Sequence, residues 1–290
     1  MLFKVQIDNF DFTYCLEGDF RHSPILFLHG FMGDRDEFKQ AIATLSNQFY
    51  CVTIDLPAHG QTNVITDVND EFIEQNIDQN IDQNIEQNYY YTIQSTANSV
   101  IKFLDYLRVD HCFLVGYSMG GRLALYLALH FPRYFYKVIL ESASAGLQTA
   151  TERSDRLAKD QKLAAELENG DFQLFLENWY QQLIFANLRS HPNFPHLLEQ
   201  RLKNSPVKLA KSLRNLSTGM QPSLWERLSE NQIPLLLLVG ELDVKFVKTN
   251  RQMEQICKFS QLEIISSCGH NIHFENPDSF TEKIQVFLHK

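Results

Sequence analysis

The chain has 290 residues, of which 44% are hydrophobic and 12% aromatic, enough for one large single-core domain with an accessory layer. Only 12 Gly, 9 Pro and 21% charged residues exclude collagen-like and globally disordered classes. The net charge of −9 argues against non-specific nucleic-acid binding, but seven acids and no Lys or Arg fall between positions 67 and 88, so the remainder carries only −2.

In chain order, residues 3–16 alternate and meet an acid at Asp8, which reads as a strand giving an antiparallel start rather than a secretory signal. Short apolar runs follow at 25–28, 51–54, 112–115, 137–140, 235–239 and 262–265, each ending in polar or turn residues, as strands buried on both faces do. Amphipathic stretches at 37–45, 93–107, 120–130, 247–259 and 279–289 alternate with them and predict helices. This rhythm implies a mostly parallel sheet with helices on both faces. It is interrupted twice. The tetrapeptide repeat IEQN-IDQN-IDQN-IEQN at 73–88 has too few apolar residues for a core, and 67–90 reads as a functionally neutral surface-loop insertion, a partner-docking stripe of isoleucines being the competing reading. Residues 145–231 carry only helical patterns and both tryptophans, and read as a helical cap over the carboxyl edge of a core formed by 1–144 and 232–290. The longest apolar stretch, 233–239, is far short of the roughly 20 residues that span a bilayer. Cysteines 15, 51, 112, 257 and 268 are scattered and without C-x-x-C spacing, which fits reduced thiols in a cytoplasmic protein rather than a disulfide scaffold.

The chemistry concentrates at strand ends. Gly116-Tyr117-Ser118-Met119-Gly120 stands between a strand and a helix, and a G-x-S-x-G there makes a sharp turn that aims the serine into a cleft near a helix N-terminus. Asp243 in GELD follows the strand at 235–239, and His270 in CGHNIH lies 27 residues further on, after the next strand. Ser118, Asp243 and His270 thus meet at one edge of the sheet in the order a nucleophile elbow requires. Glu141 also ends a strand and is a competing acid; His273 reads as a neighbouring support or surface histidine. His29 and His59 read as loop hydrogen-bonders, and Asp55 as ordering its own turn. Stabilising an oxyanion takes two backbone donors, for which Met119 and, in the loop HGFMGD, Phe31 are the candidates. No metal-ligand spacing and no nucleotide-binding glycine signature is present.

Arg122, one helical turn beyond Ser118, puts a guanidinium beside the serine. A neutral-ester hydrolase gains nothing from such a desolvated cation, whereas a substrate bearing carboxylates would; an internal ion pair is the competing reading. Glu152, Arg153 and Arg156 open a cap helix, and Trp179 follows; a multiply anionic small molecule in the pocket, or solvated arginines over a packed tryptophan, would each account for them.

HGFMGD, DLPAHG, GYSMGGR, GELD and GHNIHFENP resemble the α/β-hydrolase superfamily over nearly the whole chain. The further elements ESASAGLQTATERSDR and WYQQLIFANL resemble the MenH family of quinone biosynthesis in particular. The resemblance implies an eight-stranded α/β-hydrolase fold and a lyase without cofactor. Such an enzyme expels pyruvate from an enolpyruvyl, succinyl-substituted cyclohexene carboxylate, with the triad serine as base. It implies Ser118, Asp243 and His270 as the triad and Arg122, Arg156, Trp179 and Tyr117 as substrate contacts. Charge, hydropathy and cysteine usage lead to the expectation of a cytoplasmic protein with no nucleic-acid or membrane partner, a monomer or weak homo-oligomer. Ala145 and Leu183 replace prolines common in the family, which alters loop stiffness rather than chemistry. The open alternatives are a serine hydrolase, either carboxylesterase or C–C hydrolase, acting on a small acidic substrate, and a non-catalytic binding relative.

Overall fold

Runs in which every side chain is apolar can only be strands with cover on both sides, and they form the middle of the sheet. The computed structural model describes residues 1–65 and 90–289. Its strands are β1 (Leu2–Ile7), β2 (Phe10–Glu17), β3 (Pro24–Leu28), β4 (Tyr50–Ile54), β5 (Asn63–Val64), β6 (Cys112–Tyr117), β7 (Phe135–Glu141), β8 (Leu235–Gly240) and β9 (Ser260–Ile265). The eight-strand path runs β1-β2-β4-β3-β6-β7-β8-β9, parallel from β4 onward, with β1 and β2 antiparallel at one edge. A ninth strand, the two-residue β5, pairs with β2 beside this path; two residues are too few to leave a periodic signature.

Alternation divides the core in two. Leu26, Leu28, Leu114, Val138, Leu140, Leu235 and Leu237 pack on one face, against α2 (Ile93–Tyr106) and α3 (Met119–His130). Ile25, Phe27, Val115, Ile139, Leu236 and Leu238 pack on the other, against α1 (Lys39–Leu45) and the final helix. Helix starts follow the capping residues rather than the apolar periodicity. The helix expected at 247–259 begins at Val244, because the Asp243 carboxylate accepts the Phe246 N–H at 3.3 Å and nucleates the first turn. Likewise the last helix begins at Pro277, a residue preorganised for a first turn.

Between β7 and β8 there is no strand. Five helices, α4 (Ala150–Asn169), α5 (Phe172–Tyr180), α6 (Ala186–Arg189), α7 (Phe194–Arg201) and α8 (Pro206–Asn215), enclose a separate apolar cluster including Leu167, Phe175, Leu176, Leu209 and Leu213. One residue from the loop after β3, Met32, is buried within that cluster. Helix α4 opens with a reciprocal capping box between Thr149 and Glu152. After β8 come α9 (Val244–Ile256), α10 (Ile272–Glu275) and α11 (Pro277–His289). Apart from Tyr90, the insertion expected at 67–90 lies outside the described residues. All five cysteines are free thiols, and among the described residues no helix is long and apolar enough to cross a membrane.

Candidate active site

The turn between β6 and α3 forces Ser118 into a left-handed backbone conformation, φ +48°. The strain is held by its N–H, which donates to the Glu141 carbonyl on β7 at 2.9 Å. Only glycine fits around it. A Cβ on Gly116 would strike the Gly120 carbonyl, and one on Gly120 would strike the Leu28 carbonyl at the end of β3. The serine is thereby raised to the sheet's carboxyl edge, where the loops after β8 and β9 also arrive.

There Ser118 Oγ lies 3.1 Å from His270 Nε2, and His270 Nδ1 lies 2.6 Å from Asp243 Oδ2. Asp243 and His270 are both buried. The ring is boxed by Phe246, with ring centres 4.8 Å apart, and by Phe185 at 5.9 Å. An imidazole so held, with one nitrogen committed to a carboxylate, presents the other to the serine hydroxyl. The competing acid, Glu141, is turned away from this chain: its Oε2 lies 2.7 Å from His273 Nδ1. His29 accepts the Leu56 N–H at 2.9 Å, and Asp55 accepts the Arg35 and Gln61 N–H groups at 2.7 Å each, so both order their loops. Buried His59 is held neutral, its basicity lowered to about 3 by burial and the neighbouring His29.

Phe31, Ser118, Met119, Arg122, Arg156, Trp179 and His270 line one cavity of 640 Å³ beneath the helices of 145–231. The main-chain N–H groups of Phe31 and Met119 have no partner among the described residues. Met119 begins α3, where intrahelical acceptors are lacking in any case. Trp179 packs against Phe31 with ring centres 5.3 Å apart and planes tilted by 57°, and both rings border the cavity. Tyr117, expected at the substrate, is not in the cavity wall. The strand's alternation points it to the opposite face of the sheet from Gly116, where its buried ring packs between His270 and His273 at 5.5 and 4.8 Å. Arg153 also turns away, donating to the Leu147 and Gln148 carbonyls at 3.3 and 3.2 Å.

Five cations, Arg122, Arg156, Lys159, Lys245 and Lys248, line this cavity against two acids, Glu152 and Asp160. Both acids are already engaged: Glu152 in its capping box, and Asp160 with Arg156 Nε at 2.8 Å and the Ser217 hydroxyl at 2.6 Å. Among the described residues Arg122 makes no ion pair with a carboxylate, and Asp160 acts on it only from beyond hydrogen-bond distance. Its guanidinium donates to the Gln221 amide oxygen at 2.7 Å and the Leu216 carbonyl at 3.0 Å. Burial, reinforced by Arg156, lowers its pKa to about 10, which still leaves it charged at neutral pH. The cavity is therefore locally positive inside an acidic protein. Among the described residues no cluster of three or more His, Cys, Asp or Glu side chains could hold a metal.

Sequence reasoning did not find Gln221, Phe185, Phe246 or the two lysines of α9. Lys245 and Phe246 directly follow the capping Asp243, so the helix starting there was the available signal. Gln221 lies in a segment without periodicity.

With the geometry in place, the likeness to known proteins is specific. The sequence profile of the alpha/beta hydrolase fold family matches residues 23–277. The 2-succinyl-6-hydroxy-2,4-cyclohexadiene-1-carboxylate synthase of Serratia proteamaculans is 31% identical over 265 residues, 91% of this chain and 92% of that protein. The chloroplastic protein PHYLLO of Arabidopsis thaliana is 31% identical over 275 residues, and the chain spans only 15% of its length. Among solved structures, MenH from S. aureus has a TM-score of 0.82 at 32% identity, over 95% of this chain and 97% of that one. A serine elbow, an aligned imidazole and a capped cationic cavity on a chain so matched place it in the α/β-hydrolase fold family and, within that, in the 2-succinyl-6-hydroxy-2,4-cyclohexadiene-1-carboxylate synthase family.

Proposed function

We propose that the protein eliminates pyruvate from 2-succinyl-5-enolpyruvyl-6-hydroxy-3-cyclohexene-1-carboxylate, yielding 2-succinyl-6-hydroxy-2,4-cyclohexadiene-1-carboxylate for menaquinone or phylloquinone biosynthesis. The observation that carries this reading is Arg122: a half-buried guanidinium one helical turn from Ser118 whose hydrogen-bond partners among the described residues are neutral, the nearby Asp160 carboxylate being hydrogen-bonded to Arg156 instead. A desolvated cation without a carboxylate is costly, and a substrate that supplies one offsets that cost. The substrate carries three carboxylates, and the surplus of cations in the cavity wall matches them in sign.

In this mechanism His270 takes the Ser118 proton, Asp243 stabilises the resulting imidazolium, and the Ser118 oxygen removes the ring proton beside the succinyl ketone. The released electron pair forms the new ring double bond to the adjacent carbon. The existing double bond shifts along the ring, and the C–O bond to the enolpyruvyl group breaks. The departing pyruvate enolate is protonated to pyruvate. All electrons come from the substrate, so no redox partner is required. Charge that develops on the ketone oxygen faces the free N–H groups of Phe31 and Met119. Arg122 and Arg156 hold carboxylates, Trp179 covers the ring, and the helices of 145–231 act as the cap that keeps water from the intermediate.

Five free thiols support a reducing, cytoplasmic location, and a cavity lined by residues of one chain is in keeping with a monomer or a weak homo-oligomer. Purified protein supplied with the enolpyruvyl substrate should release one pyruvate per substrate, read by a lactate dehydrogenase coupled assay. Absence of pyruvate together with fast turnover of small acidic esters through an acyl-Ser118 would make it a serine hydrolase instead.

A further inference from the structure

Behind the triad lies a set of buried charged groups that the mechanism above leaves without a task. The side chains of Glu141 at the end of β7, His273 on α10, Glu37 in the loop between β3 and α1, and Arg201 on α7 are all buried, and none borders the substrate cavity. They form a continuous chain. Glu141 accepts the His273 main-chain N–H at 3.0 Å and meets its Nδ1 at 2.7 Å. His273 Nε2 lies 3.2 Å from Glu37 Oε1, and the same oxygen accepts from Arg201 at 2.6 Å. Arg201 then ends on two neutral groups, the Tyr180 hydroxyl at 3.3 Å and the Met32 carbonyl at 3.1 Å. Asn204, also from the cap, donates to the same carbonyl at 2.9 Å.

Met32 directly follows Phe31. It adopts a left-handed backbone, φ +65°, which a non-glycine residue holds only when its surroundings over-determine it. Its side chain is fully buried in the apolar cluster of the cap, and the preceding turn is closed by the Gly33 N–H donating to the Gly30 carbonyl at 3.0 Å. A strained two-residue segment carrying a free N–H is therefore gripped on its carbonyl side by two donors from the cap. One of these donors is tied through three further charged groups to the strand that anchors Ser118.

We propose that the chain Glu141–His273–Glu37–Arg201 is a positioning device for the oxyanion loop, holding Met32 so that the Phe31 N–H stays aimed at the site beside Ser118. Buried ion pairs contribute little net stability against apolar replacements of the same volume, so their value here is the fixed geometry they impose. Two carboxylates and two cations balance in charge when His273 is protonated. Burial opposes that proton, but Glu141 and then Glu37 hold the His273 pKa up at about 9. This inference rests on the reading of Phe31 as an oxyanion donor, but not on the identity of the substrate.

The test compares full-length wild type with Glu37→Gln and Arg201→Met. It measures kcat and KM for pyruvate release and the rate of Ser118 modification by a fluorophosphonate, whose phosphonyl oxygen uses the same donors. The expected result is a folded Glu37→Gln protein whose kcat and phosphonylation rate fall together by about 10- to 100-fold while KM stays within about threefold, below the 10²–10³-fold cost of removing an oxyanion donor outright. Unchanged kcat and phosphonylation in folded Glu37→Gln, or a rise in KM alone, would overturn the proposal. If Glu37→Gln does not fold, Asn204→Ala removes only one donor to the Met32 carbonyl. It should lower both rates by about threefold or more at constant KM, on the same principle; no change in either rate overturns the proposal. Wild-type protein that reacts normally with the fluorophosphonate yet releases no pyruvate would refute the proposed function while leaving this inference standing.

Discussion

Arg156 donates Nε to both carboxylate oxygens of Asp160, at 2.8 Å each, one turn further along α4. Asp160 is fully buried and also accepts from Ser217. The pair fixes the guanidinium plane while leaving the two terminal nitrogens free for a substrate carboxylate. Asp160→Ala should raise KM about tenfold with kcat little changed, because orientation rather than chemistry is lost. Steady-state kinetics check this, and an unaltered KM would mean that Arg156 binds nothing.

Arg122 gives an opposed pair of outcomes. Arg122→Met should lower kcat/KM about 100-fold or more, roughly 3 kcal/mol, as expected for losing one partner of a desolvated charge pair. The same variant should melt at a higher temperature than wild type in the absence of substrate, since a desolvated cation hydrogen-bonded to neutral groups has been replaced by an apolar side chain of similar length. Activity assays and thermal melts on one preparation test both halves.

Removal of the Ser118 hydroxyl or the His270 imidazole by alanine should each reduce pyruvate release by about 10³-fold or more. Asp243 serves twice, because its Oδ1 caps α9 while its Oδ2 meets His270. Asp243→Asn keeps a cap and should cost activity with little stability. Asp243→Ala should lose about 1 kcal/mol of stability in addition. Urea unfolding beside turnover separates the two functions.

Stability should also depend on pH through His273. Its imidazole is faced by Glu141 from β7, Glu37 from the β3–α1 loop and the ring of Tyr117 from β6, with Arg201 of α7 beyond Glu37. The folded-state pKa of about 9 exceeds the unfolded value of 6.5. The stabilisation is therefore complete below about pH 6.5 and is lost as the pH rises through 9. Melting temperatures between pH 6 and 10 should fall across that window for wild type and less for His273→Gln. A wild-type curve no steeper than that of the variant would contradict a charged His273.

The parallel sheet, its helices and the Ser118–Asp243–His270 set were legible because each leaves a local mark: an apolar run, an amphipathic period, or glycines at fixed offsets from a serine. The start of α9 was missed by three residues because the capping acid, not periodicity, sets it. The place of Tyr117 follows from strand alternation, whereas its expected contact with substrate comes from the family resemblance alone. His273 could be seen only as a supporting histidine. Its partners Glu37 and Arg201 lie 236 and 72 positions away, and long-range ion pairs have no sequence period. Arg122 and Gln221, 99 residues apart, illustrate the same limit.

The lodging of Met32 among cap side chains constrains how a molecule can come and go. Lifting the roof as a rigid body would expose a thioether side chain worth about 1.5–3 kcal/mol of burial and would break the bonds from Arg201 and Asn204 to its carbonyl. Exposed Leu183, Lys245 and Lys248 border the same cavity, so its wall meets solvent at a place where neither the burial of Met32 nor the bonds to its carbonyl need to be broken.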